Sequence, residues 1–165
     1  MKKIFDFLEK EENRKKPFAY KVKNNEPLTE KDLNIEGNLD LTNTDIKSLP
    51  DGLKVSGDLN LTETDMESLP ERLEVAGNLY LDHSFIKSLP KDLKVGGDLS
   101  IEATYIKSLP RGLQVGGDLY LNDSYLYKVT SLNELRDIVK KMVEPGFIKG
   151  NVIFDDYDDW FKLNI

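Results

Sequence analysis

Asp82, His83 and Ser84 are consecutive and supply the three residue types of a hydrolytic triad, with His83 the only histidine in the chain. Neighbours on a strand or turn project in different directions, whereas a working triad is assembled from distant segments around an oxyanion site. Adjacency therefore argues against nucleophilic catalysis. Carboxylates are the other candidates: Asp58, Asp98 and Asp118 are separated by multiples of twenty residues, and so are Asp82 and Glu102. Paired carboxylates can serve as acid and base, or bind Ca²⁺ through about six to eight oxygens. Neither a calcium-loop consensus nor a phosphate-binding glycine motif is present, and Gly96-Gly97-Asp98 and Gly116-Gly117-Asp118 read as turns of a repeat. With no cysteine, a disulfide framework, a thiolate zinc site and a cysteine nucleophile are excluded. The expectation is a non-enzymatic protein without cofactor or metal, in which the carboxylates act as a surface.

What gathers them is a period. Leu33, Leu53, Leu73, Leu93 and Leu113 form one column at a shift of twenty, followed two places on by Ile35, Val55, Val75, Val95 and Val115. Gly37, Gly57, Gly77, Gly97 and Gly117 come next, then Leu39, Leu59, Leu79, Leu99 and Leu119, then Leu41, Leu61, Leu81, Ile101 and Leu121. Thr44, Thr64, Ser84, Thr104 and Ser124 make a hydroxyl column, and Leu-Pro closes the cycle at 49, 69, 89 and 109. A fixed short period means a solenoid, because one coil cannot bury its apolar residues alone while a stack shares a continuous core. Within a coil, Gly-x-Leu-x-Leu alternates with period two and predicts a short parallel strand, with 39 and 41 inward and 38, 40 and 42 facing solvent. The glycine suits positive φ or a close backbone approach. The hydroxyl column is expected to hydrogen-bond backbone groups where the chain leaves the strand.

The pattern Leu-x-Val-x-Gly-x-Leu-x-Leu-x-x-Thr-x-Ile-x-x-Leu-Pro resembles the leucine-rich repeat family, especially the short repeats of secreted bacterial effectors and of uncharacterised bacterial and phage proteins. The resemblance covers about 100 of the residues and implies a leucine-rich-repeat-like parallel β-sheet of about five coils. Two features depart from the family: Thr or Ser stands where it usually places Asn, and Gly occupies a position usually aliphatic or open. A ligase domain with a catalytic cysteine follows the repeats in some such effectors; that activity is excluded here by composition.

The boundaries that follow are 1–32 for an N-terminal cap, 33–132 for five repeats and 133–165 for a C-terminal cap. Residues 2–16 predict a helix stopped by Pro17, after which Phe18, Tyr20 and Val22 alternate like a strand. Ser131-Leu132-Asn133-Glu134 has the capping-box pattern, opening a helix whose apolar stripe ends at Pro145-Gly146. Residues 147–154 predict a hairpin or an added edge strand, and the acidic, aromatic tail 155–161 either caps the solenoid or binds a partner.

Charge is sorted by face. Of the formal net charge of −7, the repeats carry 9 basic and 16 acidic residues. The strand-face columns starting at 38, 40, 42 and 43 hold eight carboxylates and no Lys or Arg. Part of this acidity has a structural explanation, since Asp and Asn after Gly make turn hydrogen bonds and charge protects an exposed sheet. A second gradient runs from Asp45 and Asp65 to Phe85, Tyr105 and Tyr125, joined by Tyr80 and Tyr120. Aromatic anchors beside carboxylates are the composition of a protein-binding surface. The expected partner-binding residues are Asp58, Tyr80, Asp82, Phe85, Asp98, Glu102, Tyr105, Asp118, Tyr120 and Tyr125, and the expected partner is a protein with a basic surface. Direct binding to nucleic acid is not expected of an acidic chain. The alternatives are an inhibitor that mimics nucleic acid against a bacterial or phage-defence protein, and a self-assembling structural subunit. Nothing approaches the roughly 18 apolar residues of a membrane span, and the N-terminus lacks a secretory core, so the expected location is the cytoplasm, or a host cell reached by a signal-less route.

Overall fold

A computed structural model describes residues 17–122, 139, 141 and 143–153. It is a parallel β-solenoid. Helix α1 (Phe18–Lys23) precedes β1 (Asn34–Ile35), β2 (Leu39–Asp40), β3 (Lys54–Val55), β4 (Leu59–Asn60), β5 (Glu74–Val75) and β6 (Leu79–Tyr80). They are followed by β7 (Lys94–Val95), β8 (Leu99–Ser100), β9 (Gln114–Val115), β10 (Leu119–Tyr120), β11 (Phe147–Ile148) and β12 (Val152–Ile153). Odd-numbered strands form one parallel sheet, here sheet A, and even-numbered strands a second, sheet B. The register is the sequence period: Val55 pairs with Val75 and Val75 with Val95, while Leu59 pairs with Leu79 and Leu79 with Leu99.

Each coil thus contributes two short strands where the alternating segment predicts one. The chain bends between them at Ser56-Gly57-Asp58 and its equivalents, so Val55 and Leu59 enter the core from different sheets. The strand before the bend is two residues long, too short for alternation to announce it. Two further corners per coil use left-handed backbone: φ is +53°, +56°, +55° and +49° at Asn43, Glu63, His83 and Ala103. It is +74°, +58°, +55° and +81° at Gly52, Arg72, Asp92 and Gly112.

The glycine column divides between its two expected uses. Gly37 takes φ +84°. Gly57, Gly77, Gly97 and Gly117 instead lie under the side chain of the preceding coil; a Cβ on Gly57 would sit 2.1 Å from Asn38 Oδ1. The core is a ladder of like residues, with Leu53, Val55, Leu59, Leu61 and Met66 at most 2% exposed and their counterparts stacked on them. The hydroxyl column does what its position predicts: Thr44, Thr64, Ser84 and Thr104 donate to the carbonyls of Leu41, Leu61, Leu81 and Ile101 at 2.7, 2.8, 2.5 and 2.7 Å. At Thr64, Ser84 and Thr104, which are buried, the bond satisfies a hydroxyl that would otherwise be unpaired in the core.

At the N-terminal end Phe18, Tyr20 and Val22 belong to a helix, not a strand. Phe18, Ala19 and Val22 pack on the core, an i, i+1, i+4 pattern that outweighs the apparent alternation. Lys21 is completely buried, and its ammonium lies 2.8 Å from Asp32 Oδ1. At the other end β11 and β12 do not pair with one another as a hairpin. Each adds a parallel edge strand, Phe147 opposite Gln114 and Leu119 opposite Val152. The offset there is 33 residues, because a segment is inserted before the repeat pattern resumes as Ile148-Lys149-Gly150-Asn151-Val152. The helix expected after 132 lies largely outside the described residues; Val139 and Val143, which are described, are buried in the core. The expected helix over 2–16 and the tail 155–161 also lie outside them. Among the described residues no helix is long and apolar enough to cross a membrane.

Candidate interaction surface

Sheet B places the expected residues. Asp58, Asp98 and Asp118 follow the glycine bend, and their carboxylates reach along the solenoid axis to the next coil. Asn38 Oδ1 accepts the Asp58 N–H at 2.9 Å, Asp58 that of Asn78 at 2.7 Å, and Asn78 that of Asp98 at 2.7 Å. Asp98 then accepts from Asp118 at 2.8 Å and Asp118 from Asn151 at 2.6 Å. These acids therefore hold successive coils together, and Asn serves equally well at two of the positions. Their glycine neighbours are small because this side chain lies over them.

The next outward positions are Asn60, Tyr80, Ser100 and Tyr120, followed by Thr62, Asp82, Glu102 and Asn122. Asp82 Oδ1 accepts the Ser100 hydroxyl and, at 3.0 Å, the Glu102 N–H. Glu102 Oε1 accepts Asn122 Nδ2 at 2.7 Å, and Asn78 Nδ2 donates to the Tyr80 phenol at 2.9 Å. Partial desolvation, then the neighbouring Asp98, Asp118, Tyr80 and Glu102, push the Tyr120 phenol above its ordinary value. Tyr80, Asp82, Asp98, Glu102, Asp118 and Tyr120 are thus brought onto one face, and Asp58 joins them through the ladder. Asp40, in the same column, is held below the usual carboxylate range by the hydroxyl and N–H of Thr42.

Phe85 and Tyr105 lie beyond the left-handed corner, on the adjoining side of the coil. They stack on each other with ring centres 6.0 Å apart and planes 6° from parallel, and are 48% and 44% exposed. Tyr125, expected to continue this stack, lies outside the described residues. The Asp82-His83-Ser84 trio diverges: Ser84 is buried and bonded to Leu81, Asp82 turns to Ser100, and His83 is exposed at a left-handed corner.

A second surface lies on the other sheet, away from the expected residues. The outer side of sheet A forms a groove of about 500 Å³. Its floor runs along the outward column Ser56, Ala76, Gly96 and Gly116, ending near Phe147, whose ring centre lies 5.5 Å from the Lys149 ammonium. The shrinking of that column from Ser to Gly was the available signal. Lys54 and Lys94 border this groove, so the basic residues of the strands belong to sheet A; Lys54 pairs with Glu74 at 3.2 Å. The outward positions of sheet B carry no Lys or Arg from Asn38 to Asn122. In comparisons with known proteins, no family, no curated protein and no solved structure matches the chain.

Proposed function

We propose that the chain is a non-enzymatic protein-binding module that applies the outer face of sheet B to a basic surface of a partner protein. The observation supporting this is the one-signed charge of sheet B, whose outward positions carry carboxylates and tyrosines and no Lys or Arg, whereas sheet A mixes Lys54 and Lys94 with Glu74. Parallel strands at about 4.8 Å spacing bring like charges together, and that repulsion is relieved when a cationic surface docks. The exposed Phe85–Tyr105 stack extends the contact with apolar area, the kind of group that supplies affinity while charges steer encounter. The repeat's resemblance to leucine-rich repeats agrees with such a role.

The test uses the ladder's own chemistry. Asn already occupies two of its positions, so Asp58→Asn and Asp98→Asn remove charge while keeping the acceptor. A variant combining these with Asp82→Asn and Glu102→Gln should stay folded and recover less partner from native lysate at low salt than the unaltered chain does. Undiminished recovery overturns the proposal.

A further inference from the structure

The groove on sheet A has a bare floor because the coils approach too closely there for side chains. A Cβ on Gly96 would sit 2.1 Å from the Ala76 carbonyl oxygen, and one on Gly116 2.0 Å from that of Gly96. The strand register carries this outward column to a charge at each end, Glu36 beyond Ser56 and Lys149 beyond Gly116. In the neighbouring column Lys54 and Glu74 engage each other at 3.2 Å. Lys94 and Lys149 are left without a carboxylate among the described residues, beside Phe147, which is 42% exposed. The groove is therefore cationic and aromatic at its C-terminal end and anionic at its far end.

A complementary segment begins in the same coil. β12 ends at Ile153, four residues after Lys149, and residues 154–165 follow it. They carry Asp155, Asp156, Asp158 and Asp159, then Trp160 and Phe161, then Lys162. Fully extended, these twelve residues reach about 40 Å, whereas the groove crosses six strands, about 24 Å. The spacings also agree. Lys149 and Lys94 lie two coils apart, about 9.6 Å along the axis, and Asp155 and Asp158 are about 10 Å apart in an extended chain. Glu36 lies about 24 Å from Lys149 along the axis, and Lys162 about 23 Å from Asp155. Tethering supplies an effective concentration on the order of millimolar, so weak surface ion pairs suffice where a free acidic peptide would need stronger ones.

We propose that the sheet A groove is the docking site of the chain's own acidic tail. Asp155 lies at Lys149, Asp158 at Lys94 and Lys162 toward Glu36, which lays Trp160 over the small residues Ala76 and Ser56. This surface and its occupant are independent of the reading of sheet B.

Trp160 is the only tryptophan, so its fluorescence reports on the tail in the full chain. Acrylamide should quench it less than it quenches the free peptide 154–165. Lys94→Glu with Lys149→Glu, at exposed positions, should weaken docking by about tenfold and raise quenching toward the peptide's value. Asp155→Asn with Asp158→Asn, which leaves the groove itself intact, should do the same. Lys31→Glu with Lys47→Glu makes the same change of net charge away from the groove and should leave quenching as it is in the unaltered chain. Quenching of the unaltered chain equal to the peptide's, protection that survives the groove and tail variants, or an equal rise in the Lys31 and Lys47 variant overturns the proposal. Protection that grows with protein concentration overturns it as well, by placing the tail on a second copy.

Discussion

Gly97→Ala tests how the coils are locked. A methyl at this position would sit 2.1 Å from Asn78 Oδ1 and 3.1 Å from both Asn78 Cγ and the Gly77 carbonyl carbon. Ordinary carbon contacts begin near about 3.5 Å, so the Asn78 side chain must leave. Its departure removes the 2.7 Å bond to the Asp98 N–H and the support of the Tyr80 phenol. Overpacking costs about 1–3 kcal/mol and a part-buried donor left unpaired about 1–3 kcal/mol, so the substitution should cost about 3 kcal/mol. That is a large share of a typical stability of about 5–15 kcal/mol. Asn78→Ala alone loses the bond without the clash and should cost about 1–2 kcal/mol. In the double variant only the Gly77 contact at 3.1 Å remains, relieved by a shift of a few tenths of an ångström. The double variant should therefore be more stable than the sum of the singles implies, by about 2 kcal/mol. Urea unfolding followed by circular dichroism gives the three free energies, provided the slopes agree. Additivity within about 0.5 kcal/mol would refute the interlock.

Two further outcomes follow from the same contacts. Burial alone would raise the Asp32 carboxyl, but the Lys21 ammonium and the Thr29 N–H and hydroxyl outweigh it and hold the group below the usual carboxylate range. A depressed folded pKa contributes stability that is full above the unfolded value near about 3.9 and is lost as pH falls through the lower folded value. Asp32→Asn leaves the buried Lys21 charge facing a neutral amide and should destabilise by about 3 kcal/mol at pH 7. That gap should shrink below about pH 4; urea midpoints of both chains at neutral and acid pH check it, and a constant gap would refute it. Deleting residues 60–79 removes one period and joins Leu59 to Tyr80 in register. The shortened chain should give a circular dichroism spectrum of the same shape with a lower urea midpoint, since repeats stabilise through nearest-neighbour interfaces; loss of cooperative unfolding would refute the equivalence of the coils.

The period, the columns and their order were legible in the amino-acid sequence because stacking is a one-dimensional rule: residues twenty apart must be alike if each is the next one's neighbour. The inward Leu, Val and Ile positions, the hydroxyl column on carbonyls and the close approach at glycine all follow from that rule. The division of charge was legible too, since a column's side chains share a side of the coil wherever the bends fall.

The tertiary structure decided where the bends fall and what the acids do. Two-residue strands carry no periodic signal, so the existence of sheet A and of its groove emerged only when Val55 and its counterparts paired across coils. Phe18 to Val22 alternates like a strand and is nevertheless helical, because burial of Lys21 against Asp32 and packing of Phe18, Ala19 and Val22 outweigh the local pattern. The carboxylates of Asp58, Asp98 and Asp118 read as surface charge or as acceptors within their own turns, yet each accepts a backbone N–H one coil on, a bond that exists only once the coils are stacked. Composition and spacing are properties of the chain; a contact between residues in different coils is a property of the closed stack, and that is where the ladder arises.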